Sequence, residues 1–111
     1  MSNIVAILAP DTPGSEIGNR ESQDAADRVG GIDLRLVDSG QSFEEIVEQC
    51  RGAVVILPKG RYEKLTELVE ELGTVKLIQT PSAGTDWIDK TGLAEMGVDV
   101  ANNGGANAVA V

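Results

Sequence analysis

Histidine is missing from this 111-residue chain. That removes the commonest general acid/base and a favoured zinc ligand together. Cysteine occurs once, as Cys50, so no disulfide can form within the chain, and a reducing cytoplasm is the expected compartment. The aromatics are Phe43, Tyr62 and Trp87 alone. So thin a set gives no platform for stacking nucleic-acid bases, and the core must be aliphatic. Basic residues are also scarce. The chain has 9 Lys and Arg against 18 Asp and Glu, a formal net charge of -9, which repels phosphate backbones and anionic lipid surfaces. No apolar run is long enough to span a bilayer, and the opening MSNIVAILAP lacks the basic stretch of a signal peptide. Neither nucleic acid nor a membrane is an expected partner.

Fingerprints are missing too. The sequence contains no G-x-G-x-x-G and no G-x-x-x-x-G-K-[ST], and it has no Cys/His cluster. No cofactor-binding and no metal-binding residue is therefore assigned.

What is present is a rhythm. Five short apolar runs alternate with helix-like stretches: IVAILA (Ile4 to Ala9), IDLRLVD (Ile32 to Asp38), AVVILP (Ala53 to Pro58), VKLIQT (Val75 to Thr80) and VDVAN (Val98 to Asn102). The first is continuous and rich in branched residues, as suits a parallel strand buried on both faces. The second alternates, with Ile32, Leu34 and Leu36 on one face, as suits a sheet edge. Between them, Ser42 and Glu45 have the spacing of a capping box, hydroxyl and carboxylate each expected to satisfy an end amide. Phe43, Ile46, Val47 and Cys50 form the stripe of the helix that follows, which places Cys50 in the core. Tyr62, Leu65, Leu68, Val69 and Leu72 form a second stripe, with Gly73 suited to a left-handed cap. A shorter helix is expected from about Lys90 to Met96, capped by Asp89 and ended by Gly97. The connection from Asp11 to Gly31 offers only a thin stripe of Ile17, Ala25, Ala26 and Val29 and reads as part loop.

Strands alternating with helices predict an α/β fold with right-handed crossovers. The specific expectation is a flavodoxin-like three-layer sandwich, a five-stranded parallel sheet of order 2-1-3-4-5. Ligands of such sheets bind beyond the carboxyl ends of the strands. Those ends run into APDTPG, DSGQS, LPKGR, TPSAGTD and NNGGAN. A phosphoacceptor role fails, because the third strand ends in Pro58 and Lys59 rather than an aspartate. Flavin binding is disfavoured, because no suitably placed aromatic follows that strand and DTPGS (Asp11 to Ser15) only faintly resembles a phosphate loop. What remains is PSAGTD, a small-residue turn whose backbone N–H groups can face an anion, with Gly84 permitting close approach. The same residues also fit a plain strand-to-helix turn.

Here a resemblance enters. The stretch VKLIQTPSAGTDWIDKTGLAEMGVDVANNGGANAVAV (Val75 to Val111) resembles the D-isomer-specific 2-hydroxyacid dehydrogenases. Its pattern is apolar strand, small-Gly-x-Asp loop, short helix ending in Gly, apolar strand, then an Asn-rich loop into a helix. The resemblance implies two domains in the parent enzyme: a flavodoxin-like substrate domain, and a Rossmann domain binding NAD or NADP inserted into it. It further implies that residues 1–105 are a substrate-domain segment. Residues 106–111 would begin the crossover helix, so that the chain is a truncated substrate-binding domain.

Catalytic arginine, glutamate and histidine belong to the family's cofactor domain, so no catalytic residue is carried over, and no cofactor is expected on this chain alone. Substrate contact does carry over. The small-Gly loop matches Ala83 and Gly84, flanked by Ser82 and Thr85, as a cradle for the carboxylate of a small 2-hydroxy or 2-oxo acid. Asn107 matches an asparagine that contacts substrate in the formate branch. Trp87 could touch the substrate cleft, but packing against the neighbouring helix is the expectation. The missing returning segment of the family domain would leave apolar surface uncovered and favour a homodimer. The competing expectation is a free-standing flavodoxin-like binding or interaction module.

Overall fold

A computed structural model describes residues 3–10, 20, 23–24, 27–28, 30–59, 61–80 and 87–102. Five strands make one parallel sheet: β1 (Asn3–Ala9), β2 (Ile32–Asp38), β3 (Ala53–Pro58), β4 (Leu77–Thr80) and β5 (Asp99–Asn102). Their order is β2-β1-β3-β4-β5, with every neighbouring pair parallel. The expected order holds, and the alternating strand β2 is indeed at an edge. Three helices connect the later strands: α1 (Phe43–Cys50), α2 (Leu65–Leu72) and α3 (Lys90–Glu95). In the β1–β2 connection, Arg20, Gln23, Asp24, Asp27 and Arg28 are helical. Ile17, Ala25, Ala26 and Val29, the expected stripe of that connection, lie outside the described residues.

The hydrophobic cluster shows how the layers meet. Ala6 and Leu8 of β1, Ile56 of β3 and Ile78 of β4 pack with Ile46, Val47 and Cys50 of α1 and Leu65, Leu68, Val69 and Leu72 of α2. Leu93 of α3 joins them. Successive strand residues point to opposite faces, so α1, α2 and α3 cover one face of the sheet. Ile7 lies between Ala6 and Leu8, is buried and stands outside this cluster. It points to the other face of the sheet. Along β2 the alternation places Val37 in the core, whereas Leu36 is 42% exposed.

Local signals explain the helices. Ser42 caps α1, its Oγ accepting the N–H of Glu45 at 3.3 Å. The carboxylate differs from the expected capping box: Glu45 Oε1 accepts the Ser42 hydroxyl at 3.0 Å. It thereby orients the cap oxygen through the side chain. Tyr62 precedes α2 rather than lying in it, and packs half-buried against the core. Gly73 ends α2 at φ 67, donating its N–H to the Val69 carbonyl at 3.0 Å. That left-handed conformation is the one glycine adopts without a Cβ penalty.

Candidate functional site

All five strands are parallel, so their carboxyl ends share one rim of the sheet. Two of the segments leaving that rim hold the expected substrate residues, and their stems are side by side. β4 and β5 pair in register from Leu77 with Asp99 to Thr80 with Asn102. The segment 81–86 and the segment after Asn102 therefore depart from directly opposed positions on neighbouring strands. Ser82, Ala83, Gly84, Thr85 and Asn107 themselves lie outside the described residues. The structure places the anchors on which they stand.

The residues that flank 81–86 are packed into the core. Thr80, the last residue of β4, is only 2% exposed and is the buried polar residue of the described core. Its Oγ1 donates to the Ala101 carbonyl of β5 at 3.4 Å, a bond at the long end of the useful range. On the far side of the segment, Trp87 packs half-buried against the core and Ile88 is buried in it. The expectation of packing for Trp87 is met. Asp89 then caps α3, its Oδ1 accepting the Gly92 N–H at 3.0 Å. Thr80 and Ile88, which flank residues 81–86, are thus both buried.

A second feature on the same rim went unread in the sequence. A cavity of about 380 Å³ is lined by Gln41, Ser42, Phe43, Arg61, Tyr62, Glu63 and Lys64. It lies between the turn after β2 and the segment joining β3 to α2. Lys64 Nζ sits 5.6 Å from the Phe43 ring centroid, within cation–π reach. Burial pushes the Tyr62 phenol above its ordinary value, with the neighbouring Cys50 and Glu67 adding to the shift. The sheet order places this cavity toward β2, away from the β4–β5 stems. The signal that could have found it is the pairing of two aromatics with two cations across adjacent rim loops, LPKGRYEK and QSF.

Cys50 is not reactive machinery. It is 0% exposed, and burial pushes its thiol up to about 11, against a smaller opposing pull from the Arg35 guanidinium. A thiol so held is inert at neutral pH. Among the described residues no three carboxylates or thiols are grouped to hold a metal, and no helix is long and apolar enough to cross a membrane.

Comparison with known proteins gives a consistent answer. The family profile described as D-isomer specific 2-hydroxyacid dehydrogenase, catalytic domain, matches residues 13–111. Comparison with curated proteins found no match. Among solved structures, a phosphoglycerate oxidoreductase from Vibrio cholerae o395 is 24% identical with a TM-score of 0.67, over 92% of this chain and 31% of that one. The pyruvate reductase of Chlamydomonas reinhardtii is 22% identical with a TM-score of 0.67, over 91% of this chain and 29% of that one. A glyoxylate reductase from Paecilomyes thermophila is 21% identical with a TM-score of 0.60, over 92% of this chain and 32% of that one. At these identities the structures establish the fold. The chain spans just under a third of the length of each.

Proposed function

The chain belongs to the D-isomer specific 2-hydroxyacid dehydrogenase family, and from that premise we propose that it forms the substrate-holding wall of such an active site without performing the reaction. The observation that carries this reading is the pair of opposed, anchored stems at Thr80 and Asn102. In the proposal, the main-chain amides of Ala83 and Gly84 hold the carboxylate of a small 2-hydroxy or 2-oxo acid. Ser82 and Thr85 flank them, and Asn107 approaches from the neighbouring segment. Residues 1–105 are the substrate-domain segment, and residues 106–111 start the helix toward a cofactor domain.

In the parent enzyme, hydride would pass between C2 of the acid and a nicotinamide, NAD or NADP. The residues of this chain do not fit that cofactor. β1 runs into Ala9 and Pro10, and no dinucleotide fingerprint occurs anywhere. With no histidine to move a proton, the role left to this chain is to bind and orient. Its single buried thiol suits the cytoplasm. A homodimer completes the reading, because Leu36 on the edge strand β2 is 42% exposed.

Roughly two neutral N–H donors facing water contribute about 1 to 3 kcal/mol, so affinity should be millimolar or weaker. An amide-resolved NMR titration with glyoxylate tests the cradle. The Ala83 and Gly84 signals should move together and approach saturation only at roughly tens to hundreds of millimolar ligand. Movement confined to exposed lysines would reduce the segment to a turn.

A further inference from the structure

We propose that β2 is a self-complementary edge, through which two copies of this chain join their sheets antiparallel about a two-fold axis at Leu34. The inference rests on the homodimer reading and is independent of the carboxylate cradle.

The first observation is which backbone groups are free. The Asn3 N–H donates to the Gly31 carbonyl at 2.9 Å, and the Ser39 N–H donates to the Ala9 carbonyl at 2.9 Å. The odd-numbered residues of β2 therefore turn their N–H and C=O toward β1, and the even-numbered ones turn theirs outward. Asp38 agrees with this phase: its carbonyl accepts the Gln41 N–H at 3.3 Å and the Gln41 side chain at 3.0 Å, both from outside the sheet. Ile32, Leu34 and Leu36 remain. Among the described residues β2 pairs only with β1, so these three present an unpaired edge of the kind that templates another strand.

The second observation is the side-chain pattern around Leu34. An antiparallel partner centred there sets Leu34 opposite Leu34 of the second copy, and Ile32 opposite its Leu36. All of these are hydrogen-bonded positions with outward amides. The apolar side chains meet on one face, where Leu36 is 42% exposed in the single chain. On the other face Asp33 falls opposite Arg35 of the second copy, at the non-hydrogen-bonded positions where side chains come closest. Within one chain these two already form an ion pair at 2.9 Å, with side chains 38% and 42% exposed. Across the axis each guanidinium gains a second carboxylate.

The same charges reject the neighbouring registers. An axis on Asp33 sets aspartate against aspartate, and one on Arg35 sets arginine against arginine; like charges directly opposed are unfavourable. An axis on Leu36 would call on the outward carbonyl of Asp38, which Gln41 already occupies. Among registers centred on residues 33 to 36, outward amides, apolar face and charge pattern favour the one at Leu34.

Sedimentation of the 111-residue chain across roughly 10 µM to 1 mM should show a monomer–dimer equilibrium. Arg35→Asp should weaken it at least about tenfold, and Asp33→Arg combined with Arg35→Asp should restore it to within about threefold, because the reversed pair is again complementary across the axis. Leu34→Pro removes an N–H that faces away from β1, a place where an edge strand tolerates proline. It should abolish the dimer with an unchanged circular dichroism spectrum. If Leu34→Pro unfolds the chain, the charge-reversal pair decides alone. A dimer indifferent to charge reversal uses another surface and overturns the edge assignment while leaving the homodimer standing. A chain that stays monomeric to 1 mM overturns both.

Discussion

The hydroxyl of Thr80 reaches across from the end of β4 to the carbonyl of Ala101 in β5 at 3.4 Å. It joins the last residue of β4 to the last but one of β5, where each strand gives way to a segment expected to contact substrate. Thr80→Val keeps the shape and removes the tie, at a global cost of about 0.5 to 1 kcal/mol. Amide exchange at Gln79, Thr80 and Val100 to Asn102 should quicken by more than that global change allows. Uniform acceleration across the whole sheet would mean that the hydroxyl has no local role.

Gly73 closes α2 at φ 67, with open space where a Cβ would project. Only the backbone conformation resists a side chain there. Gly73→Ala should therefore cost about 1 kcal/mol and lower the melting temperature by several degrees, without altering the core. A neutral result would mean that the helix end frays freely in solution.

Cys50 makes stability depend on alkaline pH. Burial raises its thiol from 9.0 to about 11 in the folded chain. Above the unfolded value the unfolded chain releases this proton while the folded chain keeps it, so stability falls as pH rises from 9 toward 11. The loss should reach about 2 kcal/mol. Cys50→Ala should flatten most of that slope, with Tyr62 supplying a remainder of the same sign. In the native state, thiol reagents should label Cys50 only at the rate of unfolding. Rapid labelling at neutral pH would contradict its burial.

The isolated chain should bind neither NADH nor NADPH. Calorimetry giving a micromolar dissociation constant for either would show a nucleotide site that the sequence pattern does not reveal.

Much of this fold was legible because local signals and the global pattern agree. The continuous run Ile4 to Ala9 and the alternating run Ile32 to Asp38 told an interior strand from an edge one, and the glycines at 73 and 97 punctuated the helices. Strand lengths were less legible. Val75 and Lys76 extend the apolar run but precede β4, with the Lys76 N–H bonded to the Val54 carbonyl at 2.8 Å. Apolar content alone does not separate a strand from the buried approach to it. The half-buried Leu34 and exposed Leu36 illustrate a similar limit: alternation names the face of a strand but not what covers it. The proposed cradle stood out in the sequence only as a small-residue turn able to face an anion, and its substrate came from resemblance alone, since small residues in a turn carry no charge or bulk to announce a ligand. The cavity beside Phe43 and Lys64 was missed because its lining comes from two separate loops.

The most direct measurement of the central claim isolates the carboxylate charge. The amide signals of Ala83 and Gly84 should shift on titration with lactate and stay still with lactamide, which has the same skeleton without the charge. Ala83→Pro, which removes one donor, should abolish the lactate response while the strand signals remain. Equal responses to lactate and lactamide, or a response that survives Ala83→Pro unchanged, would contradict a carboxylate cradle at residues 82–85.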